Sequence, residues 1–576
     1  MTTAAYGIDF GTTNSVLASV SAGTVDTVTL DHSLPGEWAG TGFDQVLPSV
    51  IGFNGSRPTF GWEAKQQSAG KLEAVKRLFA TDDDVTIGPR QLKVEEAAAM
   101  FFRQIQQAAT ASGVLDTLDR AVVTIPANSR GKARFRTKLS AGLAGIEVLA
   151  LINEPTAAAM AHARAIGQNQ RILVFDWGGG TLDVTVLQAS DGTFIEQASK
   201  GVQRLGGLDI DQAFWAFISR RVQGIDSWAP WEKEELRLNV ELAKIKLSSV
   251  DTYQLPLPGG KGHIELTRPQ FEEVVYPLIE RTREPVDVCL RESPGRIDHL
   301  VMVGGSSKMP IIQRFIGELV GAEPNTGVDP MTAIAEGAAL AAGVLMGTVN
   351  DIDFFVGTEH ALGTVVHNAD SRPEGEFSVL IRRNTKLPAR ATDAYSPVHD
   401  MQEQVNITVI EGDPALPIDH DDNVVLKHWT VSLLEPRPAA EAGFDITYEY
   451  DVDGILHVLV RDQKTGTVMM SEELSFGAAE DKRQLPAMRQ RLDDLMSGGS
   501  SGLDSSMPTS QPPTAGLSAA SRASIEKARV KIIPFVPDGD RTRLESLIER
   551  LENDGGDENA AREALDREIR NHAYLL

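Results

Sequence analysis

Two stretches of this chain repeat one layout, and that repetition restricts the fold more than any other feature. GIDFGTTNSVLASV, Gly7 to Val20, runs as an apolar strand into Asp9, turns through Gly11, Thr12, Thr13 and Asn14, and leaves as a second apolar strand. VFDWGGGTLDVTVL, Val174 to Leu187, does the same, with Asp176, Gly178, Gly179, Gly180, Thr181 and Asp183 on its turn. Glycine lets backbone N–H groups approach a phosphate closely, and hydroxyls add short hydrogen bonds. Carboxylates repel phosphate, so Asp9, Asp176 and Asp183 imply a bridging Mg²⁺ held mostly through water. Either turn alone reads as an ordinary tight hairpin. Two of matching layout read as a nucleotide clamp. Neither fits the Walker pattern GxxxxGK followed by Ser or Thr, or the dinucleotide pattern GxGxxG.

At 576 residues the chain is too long for one core, and length predicts two to four domains. A formal net charge of −25 excludes nucleic acid as a main partner, because phosphate binding needs an excess of Lys and Arg. The single cysteine, Cys289, has no internal partner and fits a reducing compartment. MTTAAYGIDF runs directly into the first turn's strand, so no signal peptide is expected. Ala333 to Met346 is apolar but carries Glu336 and is too short to span a bilayer. The expectation is a cytoplasmic protein without membrane contact.

Strands and helices alternate to about residue 347, which implies α/β architecture. A helix is expected over Val94 to Ser112 and a buried strand over Ala121 to Ile125. After Pro126 comes a basic run, Arg130, Lys132, Arg134, Arg136 and Lys138, which reads mostly as a solvated helix face. INEPTAAA, around Glu154, breaks a strand into a helix start. LGGLDID, with Gly206 and Gly207, precedes another helix. From Pro230 a helix places Glu241, Lys244 and Ser248 on one face. LVMVGGSSKMP is a buried strand ending in Gly304, Gly305 and Ser306. From Gly357 to Phe476 short alternating strands take over, with Asp453-Gly454 as a two-residue hairpin signal. Ser497 to Gly516 reads as a flexible linker, and two amphipathic helices follow, about Ala519 to Phe535 and Asp538 to Leu575, the second interrupted at Asp554-Gly555-Gly556.

Both turns resemble the phosphate loops of the actin-like ATPase superfamily. GIDFGTTNS, VKRLF, INEPTAAA, FDWGGGTLDVTV, LGGLDID, ELAKIKLSS, VGGSSKMP and DVDGILHV together resemble the DnaK-type heat-shock chaperone family, in a short-lid form, over nearly the whole chain. The resemblance implies an actin-like (duplicated ribonuclease H-like) ATPase domain over 1–349, a linker over 350–357 and a β-sandwich substrate-binding domain over 358–478. A connecting helix and flexible linker over 479–516 and a lid-like helical region over 517–576 would follow. It implies an ATP-dependent chaperone for unfolded or extended polypeptide, using ATP/ADP and Mg²⁺, with a J-domain co-chaperone and a nucleotide exchange factor. Gly11, Thr12, Thr13, Asn14, Gly178, Gly179, Gly180, Thr181, Gly206 and Gly207 would hold the phosphates, and Asp9, Asp176 and Asp183 the Mg²⁺ waters. Lys76 would reach the γ-phosphate, Thr181 would close the second turn, and Glu154 and Asp176 would place the attacking water. Glu241, Lys244, Ser248, Gly304, Gly305 and Ser306 would line the adenosine pocket. Pro126 and Arg134 would relay nucleotide state to the β domain, where Val366, Val398 and Val405 would line the peptide site.

The chain departs from that family at the linker, Ile352-Asp353-Phe354-Phe355-Val356, where Asp353 stands at an apolar position. It also carries an insertion around Asn368 to Glu376 after His367, short terminal helices and no EEVD-like tail. A specialised relative serving one client or acting as a regulatory scaffold is the alternative. A small-molecule kinase and an actin-like filament are remoter, because neither needs the β domain.

Overall fold

The computed structural model describes residues 4–572 apart from 80–83, 114–116, 128, 130, 191–192, 353–357, 359, 368–374, 384, 421–422, 452–454, 475–481, 498–520, 522–523, 526, 534–535, 537 and 554–557. The expectations for Asp353, Phe354 and Phe355, for most of the insertion after His367 and for the Ser497–Gly516 linker lie outside the described residues, Ser497 apart.

The first lobe contains strands β1 (Ala5–Asp9), β2 (Asn14–Ser21) and β3 (Thr24–Val28), helix α1 (Val94–Ala111), strand β4 (Arg120–Ile125), helix α2 (Gly131–Leu143), strand β5 (Glu147–Asn153) and helix α3 (Glu154–Ala161). Its sheet runs β5-β4-β1-β2-β3, with β1 parallel to β4 and antiparallel to β2. The second lobe contains β6 (Arg171–Trp177), β7 (Thr181–Ser190), β8 (Thr193–Gln203), helices α4 (Gly207–Ser219) and α5 (Pro230–Leu247), and β9 (His299–Val303). Its sheet runs β8-β7-β6-β9, with β6 parallel to β9 and antiparallel to β7. The two sheets therefore share one arrangement, and each phosphate-type turn is the tip of its lobe's first hairpin. This is the actin-like, duplicated ribonuclease H-like fold.

Helix α6 (Ala333–Leu345) packs closely on the first lobe, against β1 and α3, because it is built from small residues. A Cβ on Gly7 of β1 would stand 2.1 Å from the Ala339 nitrogen, and one on Gly337 would stand 1.7 Å from the Ala157 carbonyl oxygen. Nothing larger than glycine fits at either crossing.

Arg130 of the basic run lies outside the described residues and Lys132 and Lys138 are half-buried, but its two middle arginines do not face solvent. Arg134 and Arg136 on α2 are 3% and 0% exposed. Arg136 is held inside by Glu95 of α1, 2.8 Å away, which supplies the counter-charge that a buried guanidinium needs. Helix α4 likewise starts inside LGGLDID, at Gly207 rather than after it.

A β-sandwich follows. Strands β10 (Ala361–Val366), β11 (Glu376–Ile381), β12 (Ala389–Tyr395), β13 (Gln404–Gly412), β14 (Val424–Ser432), β15 (Phe444–Tyr450), β16 (Leu456–Asp462) and β17 (Val468–Glu473) form sheets ordered β11-β10-β13-β14 and β12-β15-β16-β17. Tyr448, fully buried on β15, donates to the Gly363 carbonyl of β10 at 2.8 Å and so joins the sheets. The expected two-residue turn at Asp453-Gly454 lies outside the described residues; its flanking strands pair as far as Tyr450 opposite Leu456, and Asp451 N–H donates to the Ile455 carbonyl at 3.1 Å. Val405 is buried on β13, Val366 is half-buried at the end of β10, and Val398 is exposed.

Helix α7 (Leu485–Ser497) lies across α1, where Arg491 meets Glu96 at 2.6 Å and Arg103 meets Asp493 at 3.3 Å. Of the two terminal helices, the first is helical at Ser521, Ser524, Ile525 and Lys527 and π-helical over Ala528–Ile532. The second comes in two parts, α8 (Asp538–Asn553) and α9 (Glu558–Asn571), on either side of Asp554-Gly555-Gly556, which lies outside the described residues. Lys527–Glu147 and Arg570–Asp119 contacts, 3.2 and 3.0 Å, set this region against the first lobe. The sandwich meets the same lobe where Glu411 of β13 accepts from the Gly131 N–H, the first residue of α2, at 3.1 Å. That carboxylate caps a helix of another domain, where the helix dipole favours negative charge.

Candidate functional site

The two hairpin tips meet. A Cβ on Gly179 would stand 2.2 Å from Thr13 Oγ1 and Cγ2, so only glycine lets the first turn seat on the second. Around this contact the backbone is clamped from several sides. Gly207 and Leu208 N–H groups donate to the Gly178 and Gly179 carbonyls at 3.0 and 2.8 Å, and Gly206 N–H donates to Asp209 Oδ2 at 2.8 Å. Gly304, at φ +82°, brings its Cα so close to the Trp177 carbonyl that a Cβ would stand 2.5 Å away, and Ser306 Oγ donates to Gly178 O at 3.3 Å. LGGLDID and VGGSSKMP thus brace the second turn from opposite directions.

A charged cluster surrounds the hairpin bases. Asp176 and Asp183 face each other across the β6–β7 ladder and are 8% and 9% exposed. Burial, then repulsion from Glu154, Asp183 and Asp9, pushes the Asp176 carboxyl well above the usual carboxylate range, against the pull of Lys76. Burial and Glu154 push Asp9 up to about 7, opposed by Lys76 and by the Thr124 hydroxyl, which donates to Asp9 Oδ1 at 3.1 Å. Lys76 Nζ lies 2.5 Å from Glu154 Oε1, and both side chains are largely buried. Next to it Arg77 Nη2 donates to the Gly180 carbonyl at 2.6 Å and crosses from the first lobe to the second turn. Ala74, at φ +56°, begins this lysine turn in a conformation that an L-residue rarely adopts.

Beside the turns a cleft of about 1040 Å³ opens between the lobes. Among the expected residues, Thr12, Thr13, Asn14, Gly179, Gly207, Glu241, Lys244, Ser248, Gly305 and Ser306 line it. The charged cluster is not on this wall, and Gly11, Gly178, Gly180, Thr181, Gly206 and Gly304 belong to the turns and their braces. Ser248 ends α5 with its hydroxyl on the Lys244 carbonyl at 3.2 Å. Glu241 and Lys244 do not pair with each other along the helix. Glu241 meets Lys65 of the first lobe at 2.8 Å, and Lys244 meets Asp211 of α4 at 2.7 Å. Burial raises the Glu241 pKa, but Lys65 and Lys244 outweigh it and hold the carboxylate below its ordinary value. Lys71 and Glu234 form a second bridge between the lobes, 2.6 Å long.

The donor set fits a hard cation. Repulsion from Asp183 and Asp9 adds to the rise of the Asp176 carboxyl, a crowding that a divalent ion relieves, and Mg²⁺ takes oxygen ligands. The buried Asn14 Oδ1 has no hydrogen-bond partner among the described residues, which leaves an acceptor at the first turn for a bound group.

Lys65, Lys71, Glu234 and Thr124 went unnoticed in the sequence. Each is a single charged or polar residue whose partner lies far along the chain, and no local spacing marks it. Arg77 is legible in the sequence beside Lys76. Of the proposed relay, Pro126 follows β4 and Arg134 is buried on α2, the helix that Glu411 caps.

The family model described as "Hsp70 protein" matches residues 80–492. The "Chaperone protein DnaK" of one Thermus thermophilus strain is 33% identical over 542 residues, covering 85% of each chain. The protein of the same name from a second strain of that organism matches to the same extent.

Proposed function

The chain belongs to the Hsp70 family, and from that premise we propose that this ATP-dependent molecular chaperone hydrolyses ATP itself, at the meeting of its two hairpin tips. The observation that carries the reading is the seating of Thr13 on Gly179 beside the Lys76–Glu154 pair. Backbone N–H groups and hydroxyls of Gly11 to Asn14 and Gly178 to Thr181 would hold the phosphates, with Gly206 and Gly207 fixing the second turn. Glu241, Lys244, Ser248, Gly304, Gly305 and Ser306 would hold the adenosine. Asp9, Asp176 and Asp183 would hold Mg²⁺ through its waters. Bound Mg²⁺ would neutralise charge on the phosphate oxygens. Phosphoryl transfer to water depends on alignment and charge stabilisation rather than covalent chemistry. Lys76 supplies a fixed positive charge, and Glu154 and Asp176 orient the attacking water.

The sandwich would take extended polypeptide, and Pro126, Arg134 and the Glu411 cap give nucleotide state a route to it. Domain boundaries at 349, 357, 478 and 516, a J-domain co-chaperone, an exchange factor and a cytoplasmic setting complete the proposal. Among the described residues no helix is long and apolar enough to cross a membrane.

Lys76→Ala tests the assignment. ATP binding should persist, because the other phosphate contacts remain, while single-turnover hydrolysis should be lost. A wild-type hydrolysis rate in Lys76→Ala would overturn it.

A further inference from the structure

We propose that Arg136, backed by Glu95, is a positioning residue for Lys76. The inference rests on the hydrolytic reading above. Lys76 lies on a short helical turn, Val75–Leu78, which Phe79 closes by donating its N–H to the Lys76 carbonyl at 3.3 Å. The Phe79 carbonyl in turn accepts from Arg136 Nη1 at 2.8 Å, while Arg136 Nε donates to Glu95 Oε1 at 2.8 Å. Arg136 and Glu95 are 0% and 1% exposed, so the whole link is out of water. The Phe79 ring is buried 6.0 Å from Phe10, centroid to centroid, and Lys76 Nζ sits 5.8 Å from the same Phe10 ring. Phe79 is thus fixed at its N–H, its carbonyl and its ring, and Lys76 extends from the turn so fixed.

Two features say that this link serves position. A buried ion pair contributes little to stability compared with apolar side chains of similar volume, yet it can specify one arrangement. The planar guanidinium also serves two acceptors in fixed directions, which a point charge cannot do. The turn needs such a tether because Ala74, at φ +56°, starts it in an unfavourable backbone conformation. Released from Arg136, the turn can relax, and the Lys76 nitrogen leaves Glu154.

The experiment uses the full chain and measures both ATP affinity and single-turnover hydrolysis. The double variant Arg136→Met with Glu95→Leu removes both charges of the pair together. It should keep the wild-type unfolding temperature to within a few degrees and ATP affinity to within about twofold, while hydrolysis slows about tenfold. Arg136→Lys keeps the charge but not the two-way geometry, and should slow hydrolysis by about threefold at unchanged affinity. Wild-type hydrolysis in Arg136→Lys, or in a folded double variant, would overturn the proposal. A rate lost only in step with ATP affinity or thermal stability would overturn it as well, since that marks a structural role. Absence of hydrolysis in the wild-type chain would instead refute the hydrolytic reading on which the inference stands.

Discussion

Thr13 rests against Gly179 so closely that a Cβ on the glycine would stand 2.2 Å from two atoms of the threonine side chain. One residue is at the tip of the first lobe's hairpin and the other at the tip of the second. Gly179→Ala must therefore push the turns apart, an overpacking that typically costs about 1–3 kcal/mol. Titration calorimetry with ATP should show at least about tenfold weaker binding. Unchanged affinity would mean that the contact does not shape the site.

The bridge from Lys65 to Glu241 spans the cleft between lobes, and Lys65 also lies 5.0 Å from the Trp62 ring centroid. A partly buried pair of this kind is worth about 1 kcal/mol. Lys65→Ala should release bound ADP about fivefold faster, read by stopped-flow displacement of a fluorescent analogue. Equal release rates would remove the bridge from the account of nucleotide retention.

His162 gives the fold one acid sensitivity. It is buried, and burial followed by repulsion from His299 holds its pKa below the ordinary 6.5. The unfolded chain takes up this proton near pH 6.5, while the folded chain takes it up only at lower pH. The contribution is fully present above 6.5 and is lost as the pH falls from there through the depressed folded value. Thermal midpoints measured from about pH 7.5 down to about 5.5 should fall, and His162→Gln should flatten part of that slope. An unchanged slope in the variant would refute this assignment.

Much of this organisation was legible because glycine and aspartate are hard to replace at crowded turns. The echo of Asp9-Gly11-Thr13 in Asp176-Gly179-Thr181 showed the duplication, and alternating strands after Gly357 showed the sandwich. The basic run failed as a reading because a charged helix face looks solvated until its counter-charge is known. Glu95, which buries Arg136, lies 41 positions upstream. The Lys65–Glu241 bridge escaped for the same reason, across 176 positions.

The central claim joins ATP turnover in the lobes to polypeptide in the sandwich, and peptide-stimulated ATPase measures that join most directly. Steady-state hydrolysis should be followed in the full chain with Mg²⁺, with and without an unfolded leucine-rich peptide, beside Lys76→Ala. The account predicts slow basal turnover that rises severalfold with peptide and disappears in Lys76→Ala. Turnover that ignores the peptide, or that survives in Lys76→Ala, would contradict it.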